Sequence, residues 1–136
     1  MTVSASLTVD QDQRAMDRAK YPVWEKKAVL VWQTDDGHAA QTVTIPRTNG
    51  ALENVIVGIT EVTGNPTVNV TLTDENGAVL LTLTALADGT VHVKKVATDF
   101  DAILLSGGPL TLSVDPSADA GGAGQTLTVT VVLRGL

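Results

Sequence analysis

Cysteine is missing from all 136 residues of this chain, which excludes a disulfide framework, a zinc–thiolate centre and a cysteine nucleophile. Aromatic residues are almost missing: Tyr21, Trp24, Trp32 and Phe100 are the whole set. The core therefore has to be Val, Leu, Ile and Ala. With no covalent staple, its stability must come from that packing or from partner subunits. No run approaches the roughly 20 apolar residues of a membrane-spanning helix. The opening MTVSASLTVDQDQRAMDRAKYP lacks a basic segment followed by an apolar one, so no secretory signal is expected and the chain is expected to be made in the cytoplasm.

Signatures of chemistry are equally scarce. Ser106 in LLSGG resembles a nucleophile elbow, but Leu104 stands where the first glycine belongs and the frame is broken. No glycine-rich loop precedes a helix to hold phosphate, and no carboxylate pair sits in a glycosidase-like setting. His38 lies in the turn TDDGHAA beside Asp35 and Asp36, and is expected to be solvated there. His92 alternates with Val91 and Val93 and is expected to point outward with Lys94. Asp10 and Asp12, Asp99 and Asp101, and the run Asp74-Glu75-Asn76-Gly77 each start like a hard-cation loop, yet none supplies about six ligands with a glycine at a fixed place. No catalytic residue, metal or cofactor is expected, and the chain is not expected to be an enzyme.

The net charge is −6. Residues 1–47 hold six bases, Arg14, Arg18, Lys20, Lys26, Lys27 and Arg47, against six acids; the rest holds Lys94, Lys95 and Arg134 against nine acids. An acidic body does not wrap nucleic acid, whose phosphates require a basic footprint. The charge-balanced leading segment is free either to lie on another protein or merely to solvate a terminus.

What is abundant is Val and Thr in alternation, the composition of a pleated, half-buried surface. KAVLVWQT (27–34) sets Ala28, Leu30 and Trp32 against Val29 and Val31 and reads as a strand covered on both faces. QTVTIP (41–46) alternates and stops at Pro46. LENVIVGITEV (52–62) is a further strand, with Gly58 expected at a bulge or bend. TVNVTLT and AVLLTLTAL flank an Asn-Gly, which readily takes the positive φ of a tight hairpin. TVHVKKV (90–96), the short buried run AILLSG (102–107), PLTLSVD (109–115) and QTLTVTVVLRG (125–135) follow, the last two separated by a flexible Gly-Ala loop. Short strands at roughly 8–12-residue spacing predict an all-β fold: one antiparallel β-sandwich or jelly roll of about eight or nine strands. It is expected over 27–136, behind an arm of residues 1–26, extended or briefly helical, that contacts a partner.

The arm, the TVNVTLTDENGAVLL hairpin and the closing DAGGAGQTLTVTVVLRG together resemble the small β-sandwich structural proteins of tailed bacteriophages. The chain is most similar to capsid decoration, or cement, proteins, over roughly residues 40–136. That resemblance implies a virion protein on the capsid exterior, made in the host cytoplasm, whose partners are the major capsid protein or other virion proteins. It also implies a symmetric homo-oligomer, a trimer first. It offers Arg14, Arg18, Lys20, Tyr21, Trp24, Lys26 and Lys27 as partner-binding residues, with deletion of residues 1–20 expected to abolish shell binding and spare the fold. Trp24 and Trp32 are equally readable as core residues. A tail, neck or head–tail adaptor component, and a free carbohydrate-binding sandwich module, are the alternatives.

Overall fold

The computed structural model describes residues 4–11, 23–34 and 36–136, and every regular element among them is a strand. In chain order these are β1 (Ser4–Gln11), β2 (Trp24–Gln33), β3 (Gln41–Ile45), β4 (Asn49–Ile59) and β5 (Thr67–Thr73). They continue with β6 (Val79–Ala87), β7 (Thr90–Lys95), β8 (Ile103–Ser106), β9 (Leu110–Pro116) and β10 (Thr126–Gly135). One sheet runs β1-β2-β10-β4-β7, with β8 also on β4; the other runs β3-β9-β5-β6, and all strand pairs are antiparallel. The chain passes between sheets at β2–β3, β3–β4, β4–β5, β6–β7, β8–β9 and β9–β10. That wrap is a jelly roll, the double-sheet form of the expected sandwich.

The core follows from period-2 alternation. Ala28, Leu30 and Trp32, Val55, Val57 and Ile59, and Leu127, Val129, Val131 and Leu133 are buried from the six-stranded sheet. Val43 and Ile45, Val68, Val70 and Leu72, and Leu110, Leu112 and Val114 meet them from the four-stranded one. Trp24 seals one end. It is 1% exposed, its Nε1 donates to the Leu136 carbonyl at 3.3 Å, and its ring lies where a side chain on Gly135 would have to go. At the opposite end the loops are tied together. Trp32 Nε1 donates to the Ala39 carbonyl at 2.9 Å, the Gly64 N–H to that of Ala120 at 2.9 Å, and the Val62 N–H to Asp88 Oδ2 at 3.0 Å. The Gly-Ala loop is anchored there, with Ala120 fully buried.

The β5–β6 hairpin has the expected turn. Gly77 takes φ 82°, and Asp74 Oδ1 accepts the Asn76 and Ala78 N–H groups, each at 2.9 Å. Asp74→Ala is expected to cost about 1 kcal/mol, because solvent replaces only part of what a carboxylate gives two turn amides. A fall in Tm of roughly 4 °C is the measurement. Farther along, β6 carries an extra residue. The register slips between Val68 and Val70, Ala85 takes φ 55°, and Asn69 Oδ1 accepts the Ala85 N–H at 2.9 Å.

Several sequence expectations are corrected. Among the described residues there are ten strands rather than eight or nine, because Ser4–Gln11 pairs with β2 as an edge strand. The arm–sandwich boundary at 26/27 falls inside β2. Ala5 and Leu7 pack against the core, so deletion of residues 1–20 would remove part of the fold and is not a clean test of an arm. Gly58 pairs regularly between Thr130 and Val91; the slip in β4 lies at Glu53, between the Leu52 and Asn54 pairings. A second slip in β6, between the Leu72 and Thr73 pairings, leaves Val79 exposed while Leu81 and Leu83 point inward, and Leu86 takes the third inward place after the slip at Ala85. Finally, β7 is reversed and β8 is not wholly buried, for reasons that define the outer surface.

Candidate docking face

The two sheets present different outer faces. On the four-stranded sheet, Thr42 and Thr44, Thr111, Ser113 and Asp115, Thr67, Asn69, Thr71 and Thr73, and Thr82 and Thr84 point outward. Threonine keeps β-propensity while giving water a hydroxyl, so this face is polar without being highly charged.

The six-stranded sheet sets Val29, Val31, Ile56, Val91, Val93, Val132 and Leu104 among polar residues in the same positions. Pairing registers align them in rows across the strands. Ser6, Val29, Thr130, Gly58 and Val91 form one row. Lys27, Val132, Ile56 and Val93 form the next, and Glu25, Arg134, Asn54 and Lys95 the one after. Beyond it Leu136 and Ala51 exchange backbone hydrogen bonds of 2.9 Å each, and Ala51 pairs with Leu104. Val91 is 67% exposed and Leu104 82%, with Val93 and Leu136 about half exposed. Of the exposed large hydrophobics among the described residues, Val79 alone belongs to the other sheet's hairpin rather than to this sheet or its flanks. An ion pair between described residues crosses the face, Arg134 Nε to Glu25 Oε1 at 2.8 Å.

The position of β7 explains its reversal. It is the outermost strand, and its inner side overlooks the open margin of the sandwich. There His92 Nε2 reaches the Ala87 carbonyl at 2.9 Å, and Lys94 lines a shallow hollow with Thr82, Thr84 and Asp99. With the inner side wet, alternation sends Val91 and Val93 outward instead of His92 and Lys94. In β8, Ile103 and Leu105 are buried while Leu104 projects from the face.

The residues offered for partner binding separate into three groups. Arg14, Arg18, Lys20 and Tyr21 lie outside the described residues. Trp24 and Lys26 are each 1% exposed on the inner side of β2, so their side chains are not on the surface of the folded domain. Lys27 stands on the outer face. The aliphatic rows escaped a search for charged and aromatic anchors. Their signal is present in strands apolar at consecutive positions: Val29 and Val31 behind Leu30, Ile56 between Val55 and Val57, Val132 between Val131 and Leu133.

Elsewhere the polar clusters are turns and loop ties. His38 Nδ1 lies 2.6 Å from Asp119 Oδ1, across two loops and half exposed. Asp99 Oδ2 accepts the Lys95 N–H at 2.8 Å. Among the described residues no group of three or more His, Asp or Glu side chains is placed to hold a metal ion, and no helix is long and apolar enough to cross a membrane.

The fold is thus an antiparallel jelly roll with one polar and one aliphatic outer face. No family model and no curated protein matches the chain. Solved structures similar to it include a GH26-CBM35 β-(1,4)-mannanase of Podospora anserina, with TM-score 0.43 and 16% identity over 97% of this chain and 24% of that one. Another is the enzymatically active domain of bacteriophage CBA120 tailspike protein 4, with TM-score 0.40 and 13% identity over 99% and 19%. A third is infectious bursal disease virus, Gt strain, with TM-score 0.37 and 13% identity over 98% and 32%. The chain spans less than a third of the length of each of these chains, and likenesses at this level carry no weight for function.

Proposed function

We propose that this jelly roll is a non-enzymatic structural protein of a virion, one that binds and stabilises the capsid from outside, with the outer face of its six-stranded sheet buried on assembly. The observation that carries the reading is the contrast between the two faces. Both need β-forming residues; one meets the need almost wholly with threonine and other polar residues, while the other adds Val29, Val31, Ile56, Val91, Val93, Val132 and Leu104. A contiguous exposed aliphatic patch costs solubility and marks a surface that another protein covers. A protein that binds the assembled shell and not its dissociated subunits stabilises the shell by mass action. The resemblance of the sequence to decoration proteins supplies the partner, the major capsid protein.

The test is co-sedimentation of the full chain with shells assembled from that capsid protein, together with the temperature at which the shells come apart. The chain is expected to bind and to raise that temperature. Leu104→Glu, at an exposed position, is expected to weaken binding at least about ten-fold, the equivalent of one buried leucine. A wild-type chain that stays in the supernatant, or a variant that binds as well as wild type, sinks the reading.

A further inference from the structure

The aliphatic face matches a copy of itself, and we propose that a second copy of this chain covers it in a two-fold, face-to-face pair. The proposal rests on the reading of that face as an assembly surface and names what covers it away from the shell; the pair must part before the capsid protein takes the same surface. A two-fold axis in the plane of the interface, parallel to the strands and running between β10 and β4, sets β2 over the β7 of the second copy and β10 over its β4. Height along the strands is preserved, so each row meets itself reversed. In the row Glu25, Arg134, Asn54, Lys95, Glu25 then meets Lys95 of the second copy and Arg134 meets Asn54, twice over by symmetry. In the next row Val132 meets Ile56, and the aliphatic stem of Lys27 covers Val93. One row farther, Val29 meets Val91. No cation of these rows is set against another.

A flat face that is complementary to itself is the pattern of an isologous two-fold contact. A three-fold ring, the arrangement that the resemblance to decoration proteins implies, uses two different patches instead. The size is adequate. Four strands at ~4.8 Å spacing and ten residues at ~3.3 Å give roughly 600 Å² per copy, or about 1,200 Å² in all, the lower bound of a specific interface. Two sheets packed this way bury aliphatic side chains at the centre and leave the Glu25 and Lys95 pairs at the rim, where charge sets register more than affinity. A pair also explains why β2 reads as covered on both faces although the single chain leaves Val29 and Val31 only partly buried.

The experiment is sedimentation velocity on the full chain from about 1 to 100 µM, a range that brackets the affinity of an interface at the lower size limit. A dimer is expected. Val93→Lys, at a half-exposed position and with its fold checked by circular dichroism, sets a second cation against Lys27 twice over and is expected to raise the dimer dissociation constant at least about 100-fold, because like charges juxtaposed across an interface cost several kcal/mol. Lys95→Glu and Glu25→Lys are each expected to weaken the pair, and mixing these two variants is expected to restore it as a heterodimer. A wild-type monomer at the highest concentration, a trimer or larger ring, or a dimer indifferent to Val93→Lys overturns the proposal. A monomer that binds shells and loses them on Leu104→Glu overturns the pair and leaves the assembly surface standing. A dimer that dissociates on Val93→Lys but ignores shells supports the pair and sinks the capsid reading.

Discussion

Replacing Gly135 by alanine is expected to destabilise the domain by about 3 kcal/mol, at the upper end of overpacking costs, and to lower Tm by roughly 10 °C. The new methyl group would run into the Ala51 carbonyl oxygen on one side and the Trp24 ring on the other, with Cε2 2.7 Å away. Neither neighbour has room to move. The Ala51 backbone is held by reciprocal hydrogen bonds with Leu136, and Trp24 is 1% exposed, so the strain falls on the β4–β10 pairing itself. Gly50 is under the same constraint twice over, since its φ is +113° and a side chain there would meet the Leu136 carbonyl. Denaturant unfolding of Gly135→Ala checks the expectation, and a change below about 1 kcal/mol would show that this corner is looser than its contacts imply. Trp24→Leu combined with Gly135→Ala is expected to cost less than the two changes summed, because the methyl group gains part of the space that the indole vacates.

Leu112→Ala is expected to cost about 3–4 kcal/mol. Leu112 is fully buried in the middle of the four-stranded sheet, in an inward row that reads Val43, Leu112, Leu72, Leu81 across β3, β9, β5 and β6. Strand neighbours on both sides are fixed by ladder hydrogen bonds, so the cavity cannot collapse, and its volume adds to the lost transfer energy. Val93→Thr is the contrasting change. It removes similar chemistry from an outward position about half open to water, and an effect within about 0.5 kcal/mol is expected on the single chain. Measured together, the two separate what the core needs from what the outer face is for. A Leu112→Ala cost as small as that of Val93→Thr would contradict the layered packing.

Much of this architecture was legible in the residues. Alternation placed β3, β5, β9 and β10 and their inward side chains, and Asn76-Gly77 placed the hairpin, because one buried face forces a period of two. Period alone could not tell which face of an outermost strand is wet. In β7 the valines follow the outer face and His92 the margin, a matter of what lies beneath the strand and not of its own pattern. The strand at Ser4–Gln11 was hidden for a different reason. SASLTVDQ is short on large apolar residues, as an edge strand with one modestly buried side allows, and its pairing is dictated by β2. The docking surface was missed because charge and aromaticity were searched first, whereas the informative sign was a set of neighbouring strands apolar at consecutive positions. Such strands are the rule where both faces are covered.

The extra residue in β6 has a consequence for how far assembly can proceed. Sheets with straight free edges recruit further strands and grow without limit into fibres. Here the nine-residue edge of the four-stranded sheet is kinked at Ala85, whose N–H is already held by Asn69. The other three margins are interrupted in their own ways: β3 is five residues long and halted by Pro46, β7 and β8 are six and four residues laid end to end, and β1 has a slip between Leu7 and Val9. Ladder growth is blocked sideways while the broad aliphatic surface stays open. Association through these sheets is thereby steered away from open-ended strand addition and toward contacts between faces.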